Sequence, residues 1–270
     1  MSQSIYLAGA AGRMGRTVAE CIAETKDLRL AGAFEAPGHP WIDRRLSEFL
    51  GAAGGECVVA DAPPAAPKEG RVVSIHFTAP DATIGWLDWS VKNACPMVIG
   101  TTGLNEAQLA RVREAAGKVG ILLAPNMSVG VNLLFALAKR AAQALGKDFD
   151  VEIAEMHHRF KKDAPSGTAL RLGEMVAEGL GVNLNANAVH GRSGLTGERP
   201  AGQIGFHALR GGDVVGEHTV TFAALGERVE LTHRAASRRT FAEGALRAAR
   251  FLADKQTGFF DMQKVLGLDS

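Results

Sequence analysis

The chain has 270 residues, 46% of them apolar and 22% charged, the balance of an ordinary globular protein with ample material for a core. A formal net charge of +1 leaves no electrostatic footprint for nucleic acid or an anionic membrane, and no apolar stretch reaches the length of a membrane span. Three cysteines, Cys21, Cys57 and Cys95, with no C-x-x-C pair, argue against disulfides and a cysteine zinc site and fit a reducing cytoplasm; the first residues lack a basic start, so no signal peptide is expected.

Short apolar runs alternate with helix-like segments through the first half. Strands are expected at Ile5–Ala8, Leu28–Phe34, Val72–Phe77, Met97–Ile99 and Ile121–Ala124, and helices over Arg16–Thr25, Asp81–Lys92 and Glu106–Lys118. Segment 51–70, rich in Ala, Gly and Pro, reads as a loose connection with a possible short strand at Cys57-Val58-Val59. This alternation predicts an α/β fold, a Rossmann-type doubly wound parallel sheet with helices on both faces.

The second half changes character. Val131–Leu145 reads as a long amphipathic helix, Asp150–Met156 as an alternating strand, and Thr168–Glu178 as a helix that Gly179 and Gly181 would end. Segment 183–202 reads as a long loop. Ile204–Arg210, Val214–Ala223 and Arg228–Ala235 then read as an antiparallel meander turning at Gly211-Gly212-Asp213 and Leu225-Gly226-Glu227, before a closing helix over Phe241–Ala253. Two domains follow, the second α+β with a mainly antiparallel sheet, and the boundary falls near Asn126–Ser128. Pattern alone leaves the closing helix free to belong to either domain.

Two places carry chemistry. Gly9-Ala10-Ala11-Gly12-Arg13-Met14-Gly15 leaves the first strand and opens a helix with the spacing G-x-x-G-x-x-G. A turn without Cβ atoms lets a pyrophosphate approach the backbone, and the helix N-terminus offers free N–H groups and a positive dipole end. Glu35 stands 20 residues beyond Gly15, after the second strand, where a carboxylate can accept hydrogen bonds from ribose hydroxyls. Arg13 reads equally as a phosphate partner or a solvated helix-start residue. Loops at strand ends, Gly100-Thr101-Thr102-Gly103 and Ala124-Pro125-Asn126-Met127, are candidates for the cofactor crevice, the first also for a simple turn and the second also for a hinge.

The second place is Glu155-Met156-His157-His158-Arg159-Phe160-Lys161-Lys162-Asp163-Ala164-Pro165-Ser166-Gly167-Thr168. His157 and Lys161 can donate protons. Arg159, Lys161 and Lys162 bring positive charge, and Ser166-Gly167-Thr168 begins a helix whose free N–H groups suit an anion. Such a set fits a substrate carrying carboxylates. Adjacent histidines in a strand point to opposite faces, and no second Cys/His group has ligand spacing, so no metal site is expected. A solvated basic loop with Ser166 as a plain N-cap is the bland alternative. Trp41, Trp86 and Trp89 read as packing residues.

These segments, with Asn126-Met127-Ser128-Val129-Gly130-Val131-Asn132, Gly202–Phe206, Arg210–Thr219 and Phe259-Phe260-Asp261-Met262, resemble the 4-hydroxy-tetrahydrodipicolinate reductase family over nearly the whole chain. The resemblance implies a dinucleotide-binding domain at 1–127 with 238–270, and a substrate-binding and oligomerisation domain at 128–237. It implies reduction of a small cyclic dicarboxylate by NADH or NADPH with loss of water, in lysine and diaminopimelate synthesis, by a cytoplasmic homotetramer with no nucleic-acid or membrane partner. In that frame His157 and Lys161 exchange protons, and His158, Gly167 and Thr168 hold substrate. Gly9, Ala10, Ala11, Gly12, Arg13, Met14, Glu35, Gly100, Thr101, Thr102, Ala124, Pro125, Asn126 and Met127 line the cofactor. The chain departs from the family at Ala36, where many relatives carry an arginine, at His76-Phe77-Thr78-Ala79, where they often read Asp-Phe-Thr-Arg, and at Met127, where some have Phe. Without those arginines, and with Glu35 opposing a 2′-phosphate, NADH is the expected preference. Rival readings are another Rossmann oxidoreductase, such as one acting on an amino-acid semialdehyde, a silent dinucleotide sensor, and a metal-dependent hydrolase built on His157-His158.

Overall fold

The computed structural model describes residues 2–67 and 71–268. In chain order its elements are β1 (Gln3–Ala8), α1 (Arg13–Ala23), β2 (Leu28–Phe34), α2 (Ser47–Leu50), β3 (Val59–Ala60), β4 (Val72–His76), α3 (Pro80–Gly85), α4 (Leu87–Lys92), β5 (Met97–Ile99), α5 (Glu106–Ala116), β6 (Gly120–Leu123), α6 (Val129–Leu145), β7 (Asp150–His157), α7 (Gly167–Leu180), α8 (Leu184–Asn187), β8 (Ala188–His190), β9 (Ile204–Arg210), β10 (Gly216–Ala224), β11 (Glu227–Ala235), α9 (Arg239–Leu252), β12 (Gly258–Phe260) and α10 (Met262–Leu266). The chain divides into two compact units, Met1–Val129 with Arg238–Ser270, and Gly130–Ser237.

The first unit holds a seven-stranded sheet in the order β12-β6-β5-β4-β1-β2-β3, every pair parallel. Parallel strands covered on both faces read as near-continuous apolar runs. In β5, Val98 faces α1 and α9, while Met97 and Ile99 face α4 and α5. Each such side chain removed from water contributes about 1.5–3 kcal/mol. The strand order turns back between β1 and β4, so the ends of β1, β2 and β4 open a crevice there. The expected helix over Asp81–Lys92 is two helices meeting at Trp86, whose N–H reaches back three residues to Thr83. The short strand expected at Cys57-Val58-Val59 begins two positions later and ends one later, as β3, with Val58 bridging Arg45. Helix α9 packs on α1 in this unit's core, and Gly244 lets α9 pass the segment after β6, since a Cβ there would lie 1.8 Å from the Met127 carbonyl oxygen.

The second unit holds a five-stranded sheet in the order β11-β10-β7-β9-β8. Of the antiparallel meander expected from the last three runs, β10 and β11 pair antiparallel across the Leu225-Gly226-Glu227 turn, but β9 does not pair with β10. β7 lies between β9 and β10, pairing parallel with the first and antiparallel with the second, and β8 is parallel to β9. The sheet is therefore mixed, and Gly211-Gly212-Asp213 is not a hairpin turn. Alternation tells which face of a strand is buried but not which neighbour it pairs with. One face packs against α6 and α7 through Val151, Ile153, Val220 and Phe222. Gly181 ends α7 in the left-handed conformation, φ 65°. Gly179 does not end it; it lies inside the helix, where a Cβ would stand 2.6 Å from the Lys139 carbonyl oxygen of α6. The expected loop at 183–202 begins with α8 and β8. Its remainder is fixed by Arg199, which bonds Glu152 at 2.9 Å and Asp150 at 2.5 Å, and by Arg192, 3.0 Å from Glu152. Burial would raise the Glu152 carboxyl, but hydrogen bonds from Arg192, His207 and Arg199 bring it down to about 2.

Candidate active site

The glycine-rich turn sits at the switch point of the first sheet. Gly9 has φ +83°, and a Cβ on it would stand 2.3 Å from the Phe77 carbonyl oxygen; one on Gly15 would stand 2.0 Å from the Gly9 oxygen. Both positions need glycine so that β1, the turn and β4 can close together. Gly12 caps α1 without a side chain, leaving the first-turn N–H groups for a ligand. Glu35, just past β2, accepts the Ala11 N–H at 2.6 Å, which fixes its carboxylate across the turn. A cavity of 570 Å³ opens here, lined by Gly9, Ala11, Gly12 and Glu35. Its size and apolar walls, the absent Cβ atoms and the acid at the ribose position all fit a dinucleotide.

Other predicted cofactor residues are placed around the turn rather than on the cavity wall. Ala10 is fully buried, and its N–H donates to the Phe34 carbonyl. Arg13 is exposed and Met14 half-buried on the first turn of α1. Thr101 is buried and joins the loops after β4 and β5, its hydroxyl 2.7 Å from that of Thr83 and accepting the Thr78 N–H. Gly100 passes the Phe77 ring where a Cβ would stand 2.2 Å away, and Thr102 is exposed beside it. Ala124 and Met127 are buried, Pro125 is exposed, and the Asn126 side chain accepts the Ser128 N–H. Ala36 lines the cavity as the cofactor reading requires, but sequence reasoning missed its other far walls: Pro37, His39, Asp61-Ala62-Pro63 and Trp86. The loop after β3 had the right position at a strand end but lay in a segment without pattern. It also missed Arg16, which bonds the Ala11 carbonyl at 2.8 Å and rests over the Trp41 ring, bracing the turn from outside.

In the second unit the chemistry follows from strand alternation. The buried face of β7 runs Val151, Ile153, Glu155, His157, apolar at first and polar at its end. β10 alternates the same way through Gly216, His218, Val220 and Phe222, and its register sets His218 opposite Glu155. His157 Nδ1 stands 2.6 Å from Glu155 Oε2, and the His157 and His218 rings meet edge to face at 5.1 Å. Neither Glu155 nor His218 was singled out by sequence. His158 turns to the other side of the strand and is half-buried. Lys161 follows in the loop, its ammonium 2.9 Å from both oxygens of Asp163, which holds that carboxyl below its usual range. Arg159 and Lys162 are exposed.

Helix α7 begins directly after. Ser166 caps it, its Oγ accepting the Ala169 N–H at 3.2 Å, so Gly167 and Thr168 form the first turn. Glu155 Oε1 accepts the Ser166 backbone N–H at 3.0 Å, tying the helix start to the end of β7. The unit thus sets a histidine, an ammonium and a helix N-terminus within one short stretch of chain. Glu155, His157 and His218 have the composition of a metal site, with ligand atoms within 4.8 Å of one another. The 2.6 Å between His157 and Glu155 is a hydrogen-bond distance; two ligands at about 2.0–2.1 Å from one tetrahedral ion would stand farther apart, near 3.3 Å.

Residues 3–127 match the family model described as dihydrodipicolinate reductase, N-terminus, and residues 130–266 match that for its C-terminus. The chain is 51% identical to the 4-hydroxy-tetrahydrodipicolinate reductase of Chromobacterium violaceum, over 99% of this chain and 100% of that one. It is 51% identical to the enzyme of the same name from Nitrosomonas eutropha, over 98% of each. A solved structure of dipicolinate-bound dihydrodipicolinate reductase from Paenisporosarcina sp. TG-14 shares the fold, with a TM-score of 0.75 at 24% identity over 98% of this chain and 99% of that one.

Proposed function

The chain belongs to the dihydrodipicolinate reductase family, and from that premise we propose how its own residues perform the reaction. It is an NAD(P)H-dependent oxidoreductase that converts 4-hydroxy-tetrahydrodipicolinate, a cyclic dicarboxylate, to tetrahydrodipicolinate with loss of water, in lysine and diaminopimelate synthesis. When bound, the reduced nicotinamide supplies the hydride. The first unit, with residues 1–127 and 238–270, binds the dinucleotide. The Gly9–Met14 turn and the N-terminus of α1 receive the pyrophosphate, and Glu35 accepts the adenosine ribose hydroxyls. Gly100, Thr101, Thr102 and the Ala124–Met127 segment line the nicotinamide end, Ala124 and Met127 through backbone because their side chains are buried. Ala36 brings no cation to a 2′-phosphate and Glu35 repels one, which supports NADH as the preferred reductant.

Residues 128–237 hold the substrate and build a homotetramer, and the enzyme works in the cytoplasm. Among the described residues no helix is long and apolar enough to cross a membrane. Gly167 and Thr168 bind one substrate carboxylate at the start of α7, and His158 makes a further contact. His157 and Lys161 deliver the proton that each turnover consumes as hydride is added and hydroxide departs as water. The observation that carries this reading is the tether from His157 through Glu155 to Ser166, the residue immediately before Gly167 and Thr168, which sets a proton donor beside an anion site.

His157→Gln and Lys161→Met variants test it. Each should lower kcat by about 10²-fold or more while dinucleotide affinity stays unchanged. Thr168→Val should chiefly raise KM for the dicarboxylate. Retention of kcat in both of the first two would remove them as proton donors.

A further inference from the structure

Glu155 is a buried acid to which the reaction described above gives no chemical part. It lies two positions before His157 on the inward face of β7, at 2% exposure, in the row that Val151 and Ile153 fill with apolar side chains. A carboxylate there is strongly destabilising unless its oxygens are met. Oε1 accepts the Ser166 backbone N–H and the Arg210 guanidinium, each at 3.0 Å. Oε2 stands 2.6 Å from the enclosed Nδ1 of His157, an ion-pair contact, and among the described residues neither of those two buried atoms makes a hydrogen bond of good geometry to any group.

The carboxylate keeps its charge. Burial works to raise Glu155, but hydrogen bonds from His157, Ser166 and Arg210 bring it down to about 2. His218 is the rival for that charge, its Nε2 4.0 Å from Oε2. Burial, then the neighbouring His157, lower His218 to about 4, so it is neutral at physiological pH, and its Nε2 lies 3.2 Å from the Ser166 hydroxyl instead. The other titratable groups that bear on this pair of rings are His233 from β11 and Lys161 from the following loop; Arg210 reaches them through Glu155 from β9. The opposite nitrogen of His157 faces Gly216 of β10, where a Cβ would come within 3.0 Å of Nε2. The space beside that nitrogen exists because residue 216 has no side chain.

We propose that Glu155 is the positioning residue for the proton donor: its carboxylate accepts the Nδ1 proton of His157 and fixes the ring so that Nε2 is the nitrogen that exchanges a proton with substrate. In that exchange the Nε2–H bond breaks, the proton passes to the substrate, and the imidazolium becomes a neutral imidazole that keeps its Nδ1 proton toward Glu155. Solvent restores the lost proton after product leaves. Because the other oxygen holds Ser166, one carboxylate sets both the proton donor and the first turn of the carboxylate-binding helix. The inference rests on the reading of His157 as a proton donor.

Glu155→Gln tests it, since glutamine keeps the size and an acceptor oxygen for Ser166 but loses the charge. Expected are a kcat lower by about 10²-fold, an unchanged dinucleotide affinity, and an alkaline limb of the kcat profile displaced to lower pH, because the imidazolium has lost its counter-charge. A purely structural Glu155 would lower activity only in step with the folded fraction and leave that limb in place, which overturns the proposal. Nitrogen-15 NMR of the wild-type histidine rings, with the His157 signals identified by their loss in His157→Gln, gives a reading that does not depend on how the Glu155→Gln variant folds. A neutral His157 protonated on Nδ1 agrees; one protonated on Nε2 overturns the inference alone. Full activity in His157→Gln would overturn it together with the proton-donor reading beneath it.

Discussion

Replacing Glu35 by glutamine should move the enzyme from NADH toward NADPH. The carboxylate is fixed across the glycine turn by the Ala11 N–H at 2.6 Å, so it cannot swing away from a 2′-phosphate without breaking that bond. Two unit charges about 4 Å apart repel by about 1 kcal/mol in water and about 4 kcal/mol at an effective dielectric constant near 20. Glu35 is only partly buried, so screening keeps the repulsion near the lower limit, about 1–2 kcal/mol. Removing it should tighten NADPH binding by about 5- to 30-fold. The same change weakens the hydrogen bonds to free ribose hydroxyls, since an amide accepts less strongly than a carboxylate, by about 1 kcal/mol or roughly 5-fold for NADH. The NADPH/NADH affinity ratio should therefore rise by about 25- to 150-fold, read by titration calorimetry on wild type and Glu35→Gln at two salt concentrations. Ala36→Arg added to Glu35→Gln should raise it further, and discrimination by the wild type should shrink at high salt. Equal weakening of both cofactors, or a wild type that prefers NADPH, would refute the reasoning.

Three further outcomes follow from the geometry. Gly15→Ala gains about 1 kcal/mol of helix propensity, but its Cβ would stand 2.0 Å from the Gly9 carbonyl oxygen; the clash should win, lowering both Tm and NADH affinity, and a variant more stable than wild type would show that the turn is not as tight as described. Stability should fall as pH drops below about 6.5, because burial lowers His76 to about 3 and His218 to about 4, so only the unfolded chain takes up those protons between pH 6.5 and 4. Glu152 and Glu155, both near 2, add their loss only as pH falls below about 4.5. Urea midpoints from pH 7.5 to 4.8 check this: wild type should decline, His76→Asn should decline less steeply, and a flat wild-type profile would contradict it. Dialysis against a chelator should leave turnover unchanged, whereas a loss restored by zinc would make Glu155, His157 and His218 a metal site.

What could be read from the sequence depended on how local the cause was. β5 lies where expected because a strand covered on both faces shows as an unbroken apolar run. The glycine turn and the histidine–lysine segment were visible because each function is written in consecutive residues. The order of strands in the second unit was not, because Val151, Ile153, Val220 and Phe222 specify a buried face but no partner. β12 has only three residues, too few for any period. His218 was hidden for the same reason as the strand order: it lies 52 positions from the Ser166 it touches, and only the β7–β10 register brings it to Glu155. Gly179 read as a helix end because glycine usually marks one, yet here it marks the contact of α7 with α6.

The most direct test of the account is turnover itself. Pyruvate condensed with aspartate semialdehyde by a synthase would supply 4-hydroxy-tetrahydrodipicolinate, and oxidation of NADH and of NADPH at matched concentrations would be followed at 340 nm, with aspartate semialdehyde alone as control. The account predicts rapid oxidation only when the cyclic dicarboxylate is present, faster with NADH at subsaturating cofactor. Cofactor binding without turnover, or equal oxidation with the semialdehyde alone, would contradict it.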